Sequence, residues 1–271
     1  MTATSPVSAG REGENSVKIA VTGKGGVGKS TITAALALLA ARQGKKVLAI
    51  DADPDANLAS ALGVPRADQK TIVTIADHKR LIEERTGAKV QQYGQIFKLN
   101  PEVSDIADTY AYHHRGVALL VLGAVQGGGT GCACPENVLL RALVQDAVLR
   151  RDEVLFLDME PGIEHLGRAT ARGVTTLVIV VEPGQRSIES YRRIAGMAGE
   201  IGLVNIAVIG NKVTSPEDEA MIISAVEHEP LVGLIPYSER FRANDRDGRS
   251  ALDDLDEELC VLFADILTSL L

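Results

Sequence analysis

The chain has only three cysteines, an odd number, which argues against a disulfide framework and for a reducing compartment, the cytoplasm. It lacks any apolar run of the roughly 18–20 residues that a membrane span needs. The first 16 residues, MTATSPVSAGREGENS, have no apolar segment, so they read as a disordered tail rather than a signal peptide. Positive charge is in deficit: 28 Lys and Arg stand against 36 Asp and Glu, a formal net charge of −8, so bulk charge does not favour nucleic acid. Repeats, a proline-rich linker and a break in composition are all missing, which makes residues 17–271 one expected domain.

What is present is a soluble, globular composition, 45% hydrophobic and 24% charged over 271 residues. Near-continuous apolar runs recur at 17–22, 46–51, 117–123, 153–158, 176–182, 205–212 and 231–236, as strands buried on both faces of a parallel sheet do. Helical stretches lie between them, at about 28–43, 72–85, 135–150, 187–202, 217–228 and 254–270. Alternation of this kind predicts an α/β fold, a doubly wound, mostly parallel sheet flanked by helices. Residues 63–116 are the least regular, with a short strand expected around IFKLN (96–100) and a polar stretch holding His113, His114 and Arg115.

Residues 23–31, GKGGVGKST, follow the first strand and open a helix, which is the context the phosphate-loop pattern GxxxxGK[ST] requires. Gly23, Gly25, Gly26 and Gly28, with Val27 between them, let backbone N–H groups turn toward phosphate oxygens at a helix N-terminus. Lys29 is expected at the β- and γ-phosphates, Ser30 at Mg²⁺, and Thr31 completes the loop. Lys24, directly after the first glycine, reads by itself either as a solvated surface lysine or as an extra cation for a phosphoryl group.

With Lys24 the loop resembles the deviant signature KGGxGK[ST] of nitrogenase iron proteins, MinD- and ParA-type ATPases and arsenite-pump ATPases. That resemblance implies a MinD-like phosphate-loop fold, a homodimer, and a lysine reaching the partner's nucleotide. It also implies roles for three further segments. In DADPDAN (51–57), Asp53 would orient the attacking water, while Asp51, Asp55 and Asn57 also suit turns and a helix cap around Pro54. In LFLDMEPGIEHLGR (155–168), Asp158 would hold Mg²⁺ through water, Glu160 and Glu164 would shape a switch segment or cap a helix beginning near 163, and Gly162 would meet the γ-phosphate. His165 there suits packing or hydrogen bonding. In GNK (210–212), Asn211, followed by Lys212, is the candidate for reading adenine, with Pro236 of GLIPYSE beside the base.

Cys132 and Cys134 in GGGTGCACPEN are too close for a relaxed disulfide, and as thiolates they are soft ligands for Zn²⁺ or a similar ion. Pro135 suits the first turn of a helix, whose positive end lowers thiol pKa values. Two thiolates do not complete a tetrahedral site, but a two-fold dimer doubles them to four, and glycines 127, 128, 129 and 131 permit close approach. Two small residues in a loop, or a site using His113 and His114, are the competing readings. Cys260 reads as a core residue of the last helix.

Taken together, GKGGVGKST, DADPDANLA, GAVQGGGTGCACPEN and DMEPGIEHLGR resemble the CooC-type accessory ATPases, from about residue 17 to the C-terminal region. The resemblance implies ATP-dependent dimerisation, Ni²⁺ or Zn²⁺ shared by the CxC pairs of two subunits, and nickel insertion into carbon monoxide dehydrogenase, or service to acetyl-CoA synthase. Alternatives are a MinD/ParA-like positioning ATPase and an electron-transfer iron protein. Against them stand an acidic C-terminal segment, LDDLDEELCVLFADILTSL, unsuited to anionic lipid, and a 158–167 segment without cysteine. Neither a membrane nor a nucleic acid is therefore expected as partner.

Overall fold

The computed structural model describes residues 16–90, 92, 94–124, 134–163, 166, 168–226 and 228–271. Residues 1–15 of the expected tail, Cys132, its neighbouring glycines, Glu164 and His165 lie outside the described residues.

All seven expected apolar runs are strands: β1 Lys18–Gly23, β2 Val47–Ala52, β4 Val117–Val121, β5 Val154–Met159, β6 Thr176–Val181, β7 Ile206–Val213 and β8 Leu231–Pro236. They pair in parallel in the order β4-β2-β5-β1-β6-β7-β8. A further strand, β3 Tyr112–His114, adds antiparallel to the outer side of β4. Its YHH sequence carries no apolar alternation. It exists because Arg115 and Gly116 both take positive φ, 48° and 83°, the conformation of a two-residue hairpin turn.

Helices α1 Lys29–Arg42, α2 Leu58–Ala61, α10 Glu239–Asp247 and α11 Glu257–Leu270 cover one face of the sheet. The other face carries α4 Lys79–Thr86, α6 Pro135–Arg150, α8 Gln185–Ile201 and α9 Pro216–Ala225. Short helices α3 Arg66–Gln69, α5 Ile106–Tyr110 and α7 Arg168–Ala171 complete the α-helices among the described residues. Strands β1 and β6 are buried at every position, so their sequence is mostly apolar rather than alternating, with Lys18, Thr22 and Thr176 as buried polar exceptions. Helix α1 is apolar nearly all round, and alanines bring it close to the sheet beneath α11.

Four expectations need correction. The helix drawn at 72–85 is interrupted: Thr74 bridges to Val121, Ala76 N donates to Leu122 O, and a 3₁₀ turn at Ile75–Asp77 precedes α4. Pairing with the sheet edge overrides helical periodicity there, and His78 caps α4 through Nδ1. No strand forms at 96–100. Lys98 N donates to Thr86 O at the end of α4, and Ile96 is 98% exposed, so the segment packs on the helix end rather than joining the sheet. The helix expected near 163 begins at Arg168, since 161–163 stay irregular and bond to β1. Cys260 is half-buried rather than core, one position from the inward stripe Leu259, Phe263 and Ile266.

Candidate nucleotide site

The carboxyl ends of β1, β2, β5, β6 and β7 converge, and every nucleotide-site residue singled out from sequence falls on or just after one of these ends or that of β8. Gly23 ends β1 with φ +147°, and a Cβ there would lie 2.4 Å from the Val180 carbonyl oxygen. Gly28 precedes α1 with φ +100°, and a Cβ there would lie 2.4 Å from Asn211 Nδ2. Both positions need glycine because backbone and neighbour approach too closely for any side chain. No side chain caps α1 and its first turn carries no acidic residue, so its N–H groups face the cavity as anion donors.

Lys29 is 6% exposed, with its Nζ 3.7 Å from Asp53 Oδ2. Asp53 is itself aimed by its neighbours: its N–H donates to Asp51 Oδ1 at 3.2 Å, and its Oδ1 accepts from Asp55 N at 3.0 Å. Asp51 Oδ2 also accepts from Leu58 N at 2.9 Å, so Asp51, rather than Asn57, ties down the start of α2. Burial pushes the Asp51 carboxyl up to about 6, the backbone donors of Leu58 and Asp53 offsetting part of the effect.

Asp158 lies opposite Asp51 in the β2–β5 register and is fully buried. Burial, together with the Asp51 charge, pushes it up to about 7, and the nearby Ser30 hydroxyl and Lys29 ammonium offset this only in part. Neither Asp158 carboxyl oxygen makes a well-formed hydrogen bond. A buried carboxylate with no well-formed hydrogen bond, next to a serine hydroxyl and a second carboxylate, fits a divalent cation of the Mg²⁺ type. Such an ion would be held by Ser30 and Asp158, and when bound it supplies charge neutralisation for a phosphoryl group.

Glu160 and Gly162 follow. Thr22, the buried residue before Gly23, donates its hydroxyl toward Gly162 O at 2.8 Å and Glu160 O at 3.1 Å, and accepts from Gly162 N at 3.2 Å. The phosphate-loop strand and the 158–162 segment are thus joined through one side chain. Lys24 Nζ pairs with Glu182 Oε1 at 2.9 Å, and Lys212 Nζ with Glu182 Oε2 at 2.9 Å. Burial raises the Glu182 carboxyl, but Lys24 and Lys212 hold it below the usual value overall. Sequence reading assigned no role to Thr22 or Glu182. The available signal was a polar residue at the carboxyl end of a mostly apolar run.

Asn211 Nδ2 donates to Val27 O at 2.7 Å, and Lys212 Nζ to Gly26 O at 2.6 Å. The bond to Val27 orients the amide so that Oδ1, an acceptor, and the second N–H of Nδ2 can be offered to a base; the Oδ1 acceptor matches an exocyclic amine. Asn211, Lys212 and Pro236 share a cavity of about 500 Å³ with Tyr237, Phe241 and Arg242. An adjoining cavity of about 380 Å³ is lined by Lys29, Ser30, Thr31, Asp53, Gly25 and Pro161. One is shaped for a nucleoside, the other for its phosphates.

Away from this cleft, Cys134 is the N-cap residue of α6, with Pro135 opening the helix. Since α6 follows the parallel strand β4, its N-terminus lies toward the carboxyl ends of the strands, as the phosphate loop after β1 does. His113 and His114 do not converge: they sit on β3 facing opposite sides, His113 exposed and His114 stacked on Tyr112. Burial lowers the His114 pKa, with Arg115 adding to the effect.

A parallel sheet of this order, a glycine-rich loop feeding α1, and acids at the ends of β2 and β5 define a phosphate-loop nucleoside triphosphatase fold. Residues 18–251 match the CobQ/CobB/MinD/ParA nucleotide binding domain. The chain is 46% identical to the carbon monoxide dehydrogenase accessory protein CooC of Rhodospirillum rubrum, over 88% of this chain and 90% of that protein. It is 44% identical to an uncharacterised ATP-binding protein of Methanocaldococcus jannaschii, over 82% and 86% of the two chains. Among solved structures, the MinD cell division protein of Aquifex aeolicus matches with TM-score 0.66 at 24% identity, over 93% and 95% of the two chains. The chain belongs to the CobQ/CobB/MinD/ParA nucleotide-binding family, and within it to the CooC-type accessory ATPases. It is an ATP-binding ATPase.

Proposed function

We propose that this ATPase is a dimerising metallochaperone that assists nickel insertion into carbon monoxide dehydrogenase. Its client is taken from the name of the R. rubrum relative. ATP enters with its phosphates over the loop amides and the first turn of α1. Lys29 moves from Asp53 to the β- and γ-phosphates, which frees Asp53 to orient the attacking water. Lys24 serves the nucleotide of the partner subunit, so hydrolysis depends on dimerisation. Thr22 passes the state of the γ-phosphate contact at Gly162 back to the loop strand.

The observation that carries the metal half of the reading is Cys134 at the N-cap of α6. A thiol at the positive end of a helix ionises more readily and becomes a ligand for Ni²⁺ or Zn²⁺. Cys132 and Cys134 from each of two subunits would give four thiolates. The ion is cargo and passes to the client when hydrolysis loosens the dimer. No helix among the described residues is long and apolar enough to cross a membrane, and the first turn of α11 carries Glu257 and Glu258. Those two carboxylates speak against docking on anionic lipid; the cytoplasm as location, and no nucleic-acid partner, are part of the proposal. Likeness to MinD at this identity concerns the fold and does not favour a positioning role.

The test is a Cys132→Ala/Cys134→Ala variant examined by elemental analysis and gel filtration with and without ATP. It should lose bound metal while retaining nucleotide affinity. Unchanged metal stoichiometry would sink the assignment of the thiolates.

A further inference from the structure

Beside the phosphate loop, side chains from the ends of three neighbouring strands form one ionic cluster. Glu182 is the residue after β6, between β1 and β7 in the sheet. Its backbone N–H donates to Ser187 Oγ at 3.1 Å, in the first turn of α8, which fixes its position. One carboxyl oxygen takes Lys24 and the other takes Lys212, both at 2.9 Å. Lys212 adopts φ 59°, a backbone conformation unfavourable for a lysine, and from it reaches both Glu182 and the Gly26 carbonyl. The two loop lysines are therefore used differently. Lys29 is buried and points at Asp53, whereas Lys24, 38% exposed, turns sideways onto β6 of its own chain.

We infer that Glu182 is a positioning residue for ATP hydrolysis, holding Lys24 on its own subunit until dimer closure draws it away. This rests on the reading above that Lys24 acts across the dimer. The electrostatics give the device its direction. Without the carboxylate, Lys24 and Lys212 would face each other as two uncompensated ammonium groups, and Lys24 would be displaced toward solvent. With it, Lys24 is neutralised, and only a stronger anion, such as the phosphates of a facing subunit, competes for it. Glu182 thereby sets how much nucleotide and partner are needed before the lysine changes hands. Because Lys212 shares the carboxylate and also bonds Gly26, release of Lys24 leaves the loop backbone anchored.

An ion pair this exposed is worth about a factor of five. Two lysines are released per dimer, so the dimer dissociation constant measured with a non-hydrolysable ATP analogue should fall about 25-fold in Glu182→Gln. Sedimentation across a protein concentration series reads this directly, and ATPase rate against concentration should shift in parallel. Glu182→Asp, which keeps the charge, should stay close to wild type. In a Lys24→Ala background, Glu182→Gln should produce no shift. An unchanged or weaker dimer in Glu182→Gln, with an unaltered melting temperature, overturns the inference. So does the same 25-fold shift in Lys212→Met, which would place the effect in the loop backbone. If Lys24→Ala alone leaves dimerisation and turnover intact, the cross-subunit reading itself is wrong, an outcome separable from a silent Glu182 with an active Lys24.

Discussion

Replacing Asp158 by Asn should stabilise the nucleotide-free, Mg²⁺-free protein at high pH while abolishing hydrolysis. Asp158 is fully buried, faces Asp51 across β2 and β5, and has no well-formed hydrogen bond to either oxygen. Its carboxyl is carried from 3.8 to about 7, burial first and Asp51 second. The folded state therefore holds the proton more tightly than the unfolded chain. The associated stability is complete below about pH 4 and is lost as pH rises through about 7. At 1.36 kcal/mol for each pH unit, the loss approaches about 4 kcal/mol by pH 8.5, an upper value because water entering the cleft relieves part of it. Asn has the same shape and no charge, so it carries no such loss. The chain has no tryptophan, so urea unfolding is best followed by far-UV circular dichroism. The stability difference between variant and wild type should grow by about 1–3 kcal/mol from pH 5 to pH 8.5. Adding Mg²⁺ should stabilise the wild type alone. Parallel pH curves for the two proteins, or a variant less stable at pH 8.5, would refute the account of Asp158 as a strained acid waiting for a cation.

Thr22→Val keeps the shape of the side chain but strands the Gly162 N–H; stability should fall by about 1–3 kcal/mol and turnover should drop more than nucleotide affinity, measured by steady-state kinetics beside ADP titration calorimetry. Gly23→Ala forces a Cβ to 2.4 Å from the Val180 carbonyl oxygen, and loss of more than about 3 kcal/mol in denaturant unfolding is expected, with a wild-type midpoint counting against the close approach of β1 to β6 at this position. Asn211→Ala removes the bond to Val27 O and the acceptor offered to the base; ADP affinity should fall roughly tenfold, and discrimination against nucleotides lacking the exocyclic amine should weaken in competition binding.

Much of this site was legible because its chemistry is local. The GKGGVGKST loop, the acids of DADPDAN and Asp158 each sit where an apolar strand run stops, and strand ends are where open α/β sheets bind ligands. The parts that were not legible depend on neighbours distant in sequence. Thr22 gains its role from Gly162, 140 positions away, and Glu182 from Lys24, 158 positions away. Asp51 reads as a turn residue in sequence, but its placement opposite Asp158 makes it both the aim of Asp53 and the source of repulsion on the metal-binding acid. The mistaken strand at 96–100 and the helix expected through Thr74 have the same origin: long-range partners, Thr86 O for Lys98 and Val121 for Thr74, decide the local backbone.

The sequence alone determined the parallel α/β architecture, the phosphate loop and the close spacing of Cys132 and Cys134, since apolar periodicity, glycine spacing and thiol spacing are properties of short stretches. Only the tertiary structure decided the strand order, the buried Asp51–Asp158 pair, the antiparallel β3 edge and the sharing of Glu182 by two lysines. Each of these is a contact between segments far apart along the chain, and which strand ends become neighbours is set by packing of the whole sheet rather than by any run of residues.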